Sequence, residues 1–175
     1  NTRKITKAME LVAAAKLRRA EARIGALRPY AERMRELMIG TARATPARGF
    51  PLLEAREPIN SVAILPLTGD RGLAGAFNAN LIKEARALIT RLEGAGTQVE
   101  LHVVGKKGLG YFKYVGRAVA TSRIDITDRP TAADAASLVD SLMSRFVGGE
   151  LDSVYVVGSR FNSVLSTPPT ADRVL

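Results

Sequence analysis

Residues 61–96, SVAILPLTGDRGLAGAFNANLIKEARALITRLEGAG, decide the fold class. Their first seven residues are an apolar run of strand length, the pattern of a strand covered on both faces. The glycine-rich turn that follows leads into a helix, which Gly94 and Gly96 end. Strand, tight turn and helix form the repeating unit of an α/β domain.

The same alternation continues downstream. Residues 98–104 read as a second strand, 106–114 as a short helical crossover and 117–124 as a third strand. Over 131–147, Ala135, Leu138, Val139, Leu142 and Phe146 recur at helical spacing, behind a Thr131 cap with Asp134 three residues on. Residues 152–159 read as a strand and 163–167 as a candidate further one, whereas STPPTADRVL at 166–175 closes no element. The expectation is a mostly parallel sheet covered by helices on both faces and joined by right-handed crossovers.

Upstream lies a different pattern. Ala13, Leu17, Ala20, Ile24, Leu27, Ala31, Met34 and Met38 step by four and three, the narrow seam of a coiled coil. Ile5, Ala8 or Met9, Val12 and Ala15 continue it with a small shift of phase. No turn cluster appears before 44–49, so one helix of about 65 Å is expected. Pro29 lacks a backbone donor and crowds the carbonyl four residues back, which predicts a kink near 25–28 rather than a break. A two-sevenths apolar stripe of that length cannot be covered by the remaining domain, whose radius of gyration would be about 14 Å. Another helix or another chain is needed, and the expectation is that these 175 residues are a fragment. The expected division is a shaft helix over 1–45, a linker over 46–60 and an α/β domain over 61–175.

Charge follows the same division. Twelve Lys and Arg (Arg3, Lys4, Lys7, Lys16, Arg18, Arg19, Arg23, Arg28, Arg33, Arg35, Arg43, Arg48) stand against four Glu (Glu10, Glu21, Glu32, Glu36) in residues 1–48, a net +8 out of +9 for the chain. So basic a segment suits nucleic acid, an anionic membrane or an acidic protein. Nucleic-acid binding usually adds stacking aromatics, and Tyr30 is the one aromatic residue there. Cations on every side of the seam fit a rod enclosed by an acidic or mixed protein surface better. With no cysteine in the chain, a disulfide framework, thiol catalysis and a cysteine-ligated zinc site are excluded. No uncharged apolar run approaches the roughly 18 residues of a membrane span, and no segment is built like a signal peptide. A soluble or membrane-peripheral protein is expected.

Four features are candidates for chemistry. LTGDRGLAGAFN spaces Gly69, Gly72 and Gly75 as G-x-x-G-x-x-G, which lacks both the dinucleotide fingerprint and the Lys-Ser/Thr of a P-loop. A tight turn with Asp70 capping or pairing with Arg71 is the plainer reading, and nucleotide binding the alternative. VVGKKGLGYF presents Lys106 and Lys107 at a helix start without a hydroxyl for magnesium, and reads as a strand-to-helix turn. His102 is the single histidine, inside a strand pattern, and fits a packed or edge position rather than a metal cluster or triad. Asp125 and Asp128 lie in the turn DITDRP and are assigned no catalysis.

Several of these segments, taken in order, resemble the gamma subunit family of the rotary F-type ATP synthase. NTRKITKAMELVAAAKLRRA with RPYAERM is similar to that family's N-terminal helix, and LPLTGDRGLAGAFNANL to its S/T-D-R-G-L-C/A-G-x-x-N segment. VVGKKGLGYF and VYVVGSRFNSVLSTPPT resemble two further stretches, so the resemblance covers essentially all 175 residues. Gly69 departs from the usual Ser or Thr, and Ala74 from the Cys of many members. The resemblance implies a Rossmann-like α/β foot plus a long helix that forms half of an antiparallel coiled coil, paired with a C-terminal helix. It implies a rotor shaft, catalysing nothing itself and needing no cofactor or metal. The shaft would stand inside a ring of three alpha and three beta subunits and couple proton-driven rotation to their catalytic sites. The foot would meet the epsilon subunit and the membrane c-ring. The complex would lie on the cytoplasmic side of an inner, plasma or thylakoid membrane, with membrane contact only through the complex and no nucleic acid. Lys4, Lys7, Met9, Lys16, Arg18, Arg19, Asp70, Arg71 and Gly72 are the implied ring contacts; Ile5, Val12, Leu17, Ile24, Leu27, Met34 and Met38 line the seam. The alternatives are a nucleotide-binding α/β domain and a basic nucleic-acid-binding protein.

Overall fold

The computed structural model describes residues 2–45, 49–54, 56–163 and 166–175. Positions 46–48 of the expected turn cluster, and 164–165 of the candidate strand over 163–167, lie outside these. The chain divides into two compact units, Asn1–Leu53 and Glu54–Leu175.

The first unit is dominated by one helix, α1 (Thr2–Ala44), of 43 residues. It runs unbroken through Pro29. The residue whose carbonyl the proline ring crowds is Gly25, which has nothing within 4 Å of where a Cβ would be, so that peptide has room to tilt. Lys7 pairs with Glu10 at 3.0 Å and Arg33 with Glu36 at 2.8 Å, one turn apart on the surface. No residue of α1 is buried.

In the second unit the elements run β1 (Ser61–Pro66), α2 (Phe77–Gly94), β2 (Gln98–Val104), α3 (Lys106–Tyr114), β3 (Thr121–Arg123), α4 (Ala132–Val147), β4 (Ser153–Ser159) and β5 (Pro169–Arg173). The sheet order is β3-β2-β1-β4-β5. β1 lies parallel to β2 and β4, β2 is parallel to β3, and β5 is antiparallel to β4. Moving outward from β1 through β2 to β3 puts α2 and α3 on one face. The return to β4 puts α4 on the other, as right-handed crossovers require.

Alternation along the strands separates two cores. Val62, Ile64, Leu101, Val103 and Val157 meet Leu81, Ala85 and Leu88 of α2 and Phe112 of α3. Ala63 and Val154 point the other way, onto Leu142 and Phe146 of α4 and Leu151. The box expected at the start of α4 is present: the Thr131 hydroxyl accepts from the Asp134 N–H, and the Asp134 side chain accepts from the Thr131 N–H. At the other end of α4, Arg56 lays its guanidinium 4.2 Å from the Phe146 ring centroid. It donates to the Leu151 carbonyl at 2.8 Å and also to that of Phe146.

Three expectations need correction at the sheet's edges. The strand expected over 117–124 is only Thr121–Arg123. Gly116 has φ +71° and the Arg117 guanidinium turns back to the Val99 carbonyl and Glu93, so the chain is not extended there. Within 163–167, Ser163 and Ser166 form only an isolated antiparallel bridge. The segment expected to close no element holds β5, with Pro169 as the first residue of an edge strand, where its missing donor costs little.

Candidate partner interface

The loop between β1 and α2 is anchored from beneath. Thr68, 2% exposed, donates its hydroxyl to the Val104 carbonyl at 2.6 Å and accepts from the Gly108 N–H at 2.9 Å. A Cβ on Gly105 would lie 2.1 Å from the Thr68 carbonyl oxygen, and Gly105 has φ +92°, so glycine is required twice over. Asn78 at the start of α2 accepts the Gly69 N–H at 2.8 Å, closing the loop on itself.

Of the two roles expected for Asp70, capping or pairing with Arg71, the structure shows the first, at the start of α3, and not the second. The Asp70 carboxylate accepts from the Lys106 N–H at 3.0 Å and the Thr127 hydroxyl at 2.6 Å. Adjacent side chains diverge, and each finds a partner in 125–128 instead: Arg71 pairs with Asp128, and Lys106 with Asp125 at 2.6 Å. Burial pushes the Asp70 carboxyl up. The Thr127 hydroxyl and the N–H groups of Asp125, Lys106 and Thr127 outweigh that and hold it below the ordinary carboxylate range. The loop therefore spends its polar groups on the protein, which argues against the nucleotide alternative. Leu73 projects from the same loop, 96% exposed and with φ +60°.

Between this loop, residues 126–131 and the start of α4 lies an apolar cleft of about 540 Å³ lined by Phe77, Ile126, Pro130 and Leu138 among others. His102 also faces α4. It is 3% exposed, with Nδ1 2.7 Å from the Thr121 hydroxyl and Nε2 3.8 Å from Glu100. Nε2 has no hydrogen-bond partner among the described residues. Burial lowers its pKa; Glu100 raises it and Arg145 lowers it further. No group of three or more His, Cys, Asp or Glu capable of holding a metal occurs among the described residues.

On α1 the seam residues Ile5, Val12, Leu17, Ile24, Leu27, Met34 and Met38 are all exposed, from 37% at Leu17 and Ile24 to 65% at Met38. Lys4, Met9, Lys16, Arg18 and Arg19 are exposed as well. At 100° per residue these cations point in several directions around the axis. Sequence reasoning passed over Leu11, Leu37 and Ile39 and used Tyr30 only as the one aromatic residue of the segment; all four are exposed residues off the seam. Their signal was available as apolar positions that break the four-and-three step.

A family model described as ATP synthase matches residues 1–175. The chain belongs to this ATP synthase family. Curated relatives in it are named ATP synthase gamma chain. That of Gemmatimonas aurantiaca is 54% identical over 175 residues, spanning 100% of this chain and 60% of its own length. That of Synechococcus sp. (strain JA-3-3Ab) is 40% identical over 177 residues, spanning 100% and 56%. The chain thus spans somewhat over half the length of these relatives. Its fold is like that of a chain in the cryo-EM structure of the Tetrahymena thermophila mitochondrial ATP synthase central stalk and c-ring, at 22% identity and a TM-score of 0.75, covering 98% of this chain and 72% of that one. No helix among the described residues is long and apolar enough to cross a membrane.

Proposed function

We propose that this chain is the shaft and foot of the central rotor of an F-type ATP synthase, a subunit that transmits rotation and catalyses nothing itself. The observation that carries the reading is α1: 43 helical residues with a coiled-coil seam and no buried residue. Burying apolar surface is worth about 25 cal/mol per Å², so a folded chain does not leave such a seam in water without a partner. A second helix, antiparallel and from the remainder of the full-length protein, covers the seam residues. Leu11, Tyr30, Leu37 and Ile39 lie outside the stripe that one helix covers, which calls for a surrounding surface: the ring of three alpha and three beta subunits. Lys4, Lys7, Met9, Lys16, Arg18 and Arg19 face that ring, and Asp70, Arg71 and Gly72 present a second contact to it from the foot. The epsilon subunit and the c-ring meet the foot, which makes the protein peripheral to the membrane, on its cytoplasmic side, and dependent on the complex for that location.

The test is to charge the seam. In the full-length protein, Leu27→Asp or Ile24→Asp should abolish assembly with alpha and beta subunits, whereas Lys113→Asp, on the foot's exposed surface, should not. Normal assembly and rotation of the seam variants would defeat the coiled-coil reading.

A further inference from the structure

The second glycine-rich motif leaves one cation with no role in the interface above. Of its two lysines, Lys106 is paired with Asp125. Lys107 has no ion pair among the described residues, and neither do Lys83 and Arg86 of α2. These three meet in one place. Positions 79, 82, 83 and 86 form one stripe of α2 at spacings of three and four, and Lys107 and Tyr111 form the facing stripe of α3. Together with Asn78 they line a groove of about 390 Å³. Its floor is apolar: Ile82 and Tyr111 are half-buried against the core. Its rim is cationic, with Arg86 held 5.9 Å from the Tyr111 ring centroid. At its end the groove continues into the loop of Arg71 and Leu73, because Lys107 Nζ lies 3.6 Å from where a Gly72 Cβ would be.

Three like charges on the rim of one groove repel each other until a counter-charge arrives. Nearby Arg71 and Lys106 each have an acidic partner within the chain. Arg91, Lys113 and Arg129 lack an ion pair among the described residues as well, and what sets Lys83, Arg86 and Lys107 apart is that the three converge on one groove with an apolar floor. We infer that the α2–α3 groove receives an acidic, partly apolar segment of another protein subunit, seated with its apolar side chains on Ile82 and Tyr111 and its carboxylates on the three cations. The chain's own N-terminal segment is a poor occupant, since it carries +8, and so is a second copy at +9 overall. A nucleic acid would need free stacking faces, and the one aromatic ring in the groove already carries Arg86. A lipid surface would meet flat, projecting cations rather than a concave groove with an apolar floor. This rests on the reading that the chain is a subunit of a larger assembly.

The experiment places p-benzoylphenylalanine at Ala79 in the full-length protein, within the purified complex, and identifies the photo-adduct by mass spectrometry after the subunit composition has been measured. The expected adduct is a peptide rich in Asp and Glu from a different subunit. Its yield should fall about tenfold in the triple variant Lys83→Glu, Arg86→Glu, Lys107→Glu, as the loss of three exposed charge pairs implies. The corresponding Gln variant should show a smaller fall. All of these residues are at or near the surface, so the melting temperature of each variant serves as the check on folding. An adduct to lipid, nucleic acid, a second copy or a basic segment overturns the inference, and so does a yield indifferent to charge reversal or no adduct in an intact complex. Failure of the complex to form would overturn the rotor reading and this inference together, which the composition measurement records separately.

Discussion

Gly105 and Gly72 belong to the same α/β unit and should answer substitution in opposite ways. A Cβ on Gly105 would collide with the Thr68 carbonyl at 2.1 Å, and its backbone has φ +92°. Gly105→Ala should therefore cost about 3 kcal/mol or more, read by chemical denaturation. A Cβ on Gly72 would meet only the end of Lys107 at 3.6 Å, so Gly72→Ala should change stability by no more than about 0.5 kcal/mol. Any loss of assembly in Gly72→Ala would then be attributable to the interface. His102 gives a second prediction at this scale, clean because the chain has one histidine. Its folded pKa is below its ordinary value, so the unfolded chain takes up the proton first as pH falls. The stability that depends on a neutral His102 is present above pH ~6.5 and is lost as pH drops below it. The denaturation midpoint should fall between pH 7 and 5, and a folded His102→Gln variant should lose that part of the pH dependence. Glu100 and Arg145, the charged groups facing the ring, stay ionised across this window.

At the scale of elements, α4 depends on ties at both ends. The Thr131–Asp134 box was legible in the sequence, because its signal is confined to four residues. Arg56 at the other end was not, since its partners Phe146 and Leu151 are 90 and 95 residues away. Arg56→Ala removes two carbonyl hydrogen bonds and a ring contact, and should cost about 2 kcal/mol. Amide exchange should localise the loss to the last turn of α4. The same distinction between local and distant signals explains the rest. Apolar runs and helical spacing located β1, α2, β2, α3 and β4. For Asp70 the sequence left capping and pairing with Arg71 open, because its partners Lys106 and Thr127 come from segments 36 and 57 residues on. β5 escaped because prolines and polar residues at a sheet edge carry no strand pattern; pairing with β4 makes it a strand.

For the whole molecule, the charge distribution and the seam make one mechanical argument. A shaft needs stiffness along its length and contacts around it that can be exchanged as it turns. Exposed charge pairs contribute only about 0–1 kcal/mol each, so in the proposed rotor cations on several faces of α1 would engage successive surfaces without trapping it at one angle. Neutralising Lys4, Lys16, Arg18 or Arg19 singly should thus change the ATPase rate of the assembled complex less than about fivefold, while neutralising all four should do considerably more. On the proposed reading the seam behaves differently: Leu27, 64% exposed in this chain, would be covered by the second helix, where a charge has no exchange partner. The most direct measurement of the central claim is native mass spectrometry of the full-length protein co-expressed with alpha and beta subunits of its own organism. The expected result is an assembly with three alpha, three beta and one copy of this protein, the ratio of a single asymmetric shaft on a threefold axis; a protein that stays free, or joins the ring in any other ratio, would contradict the rotor reading.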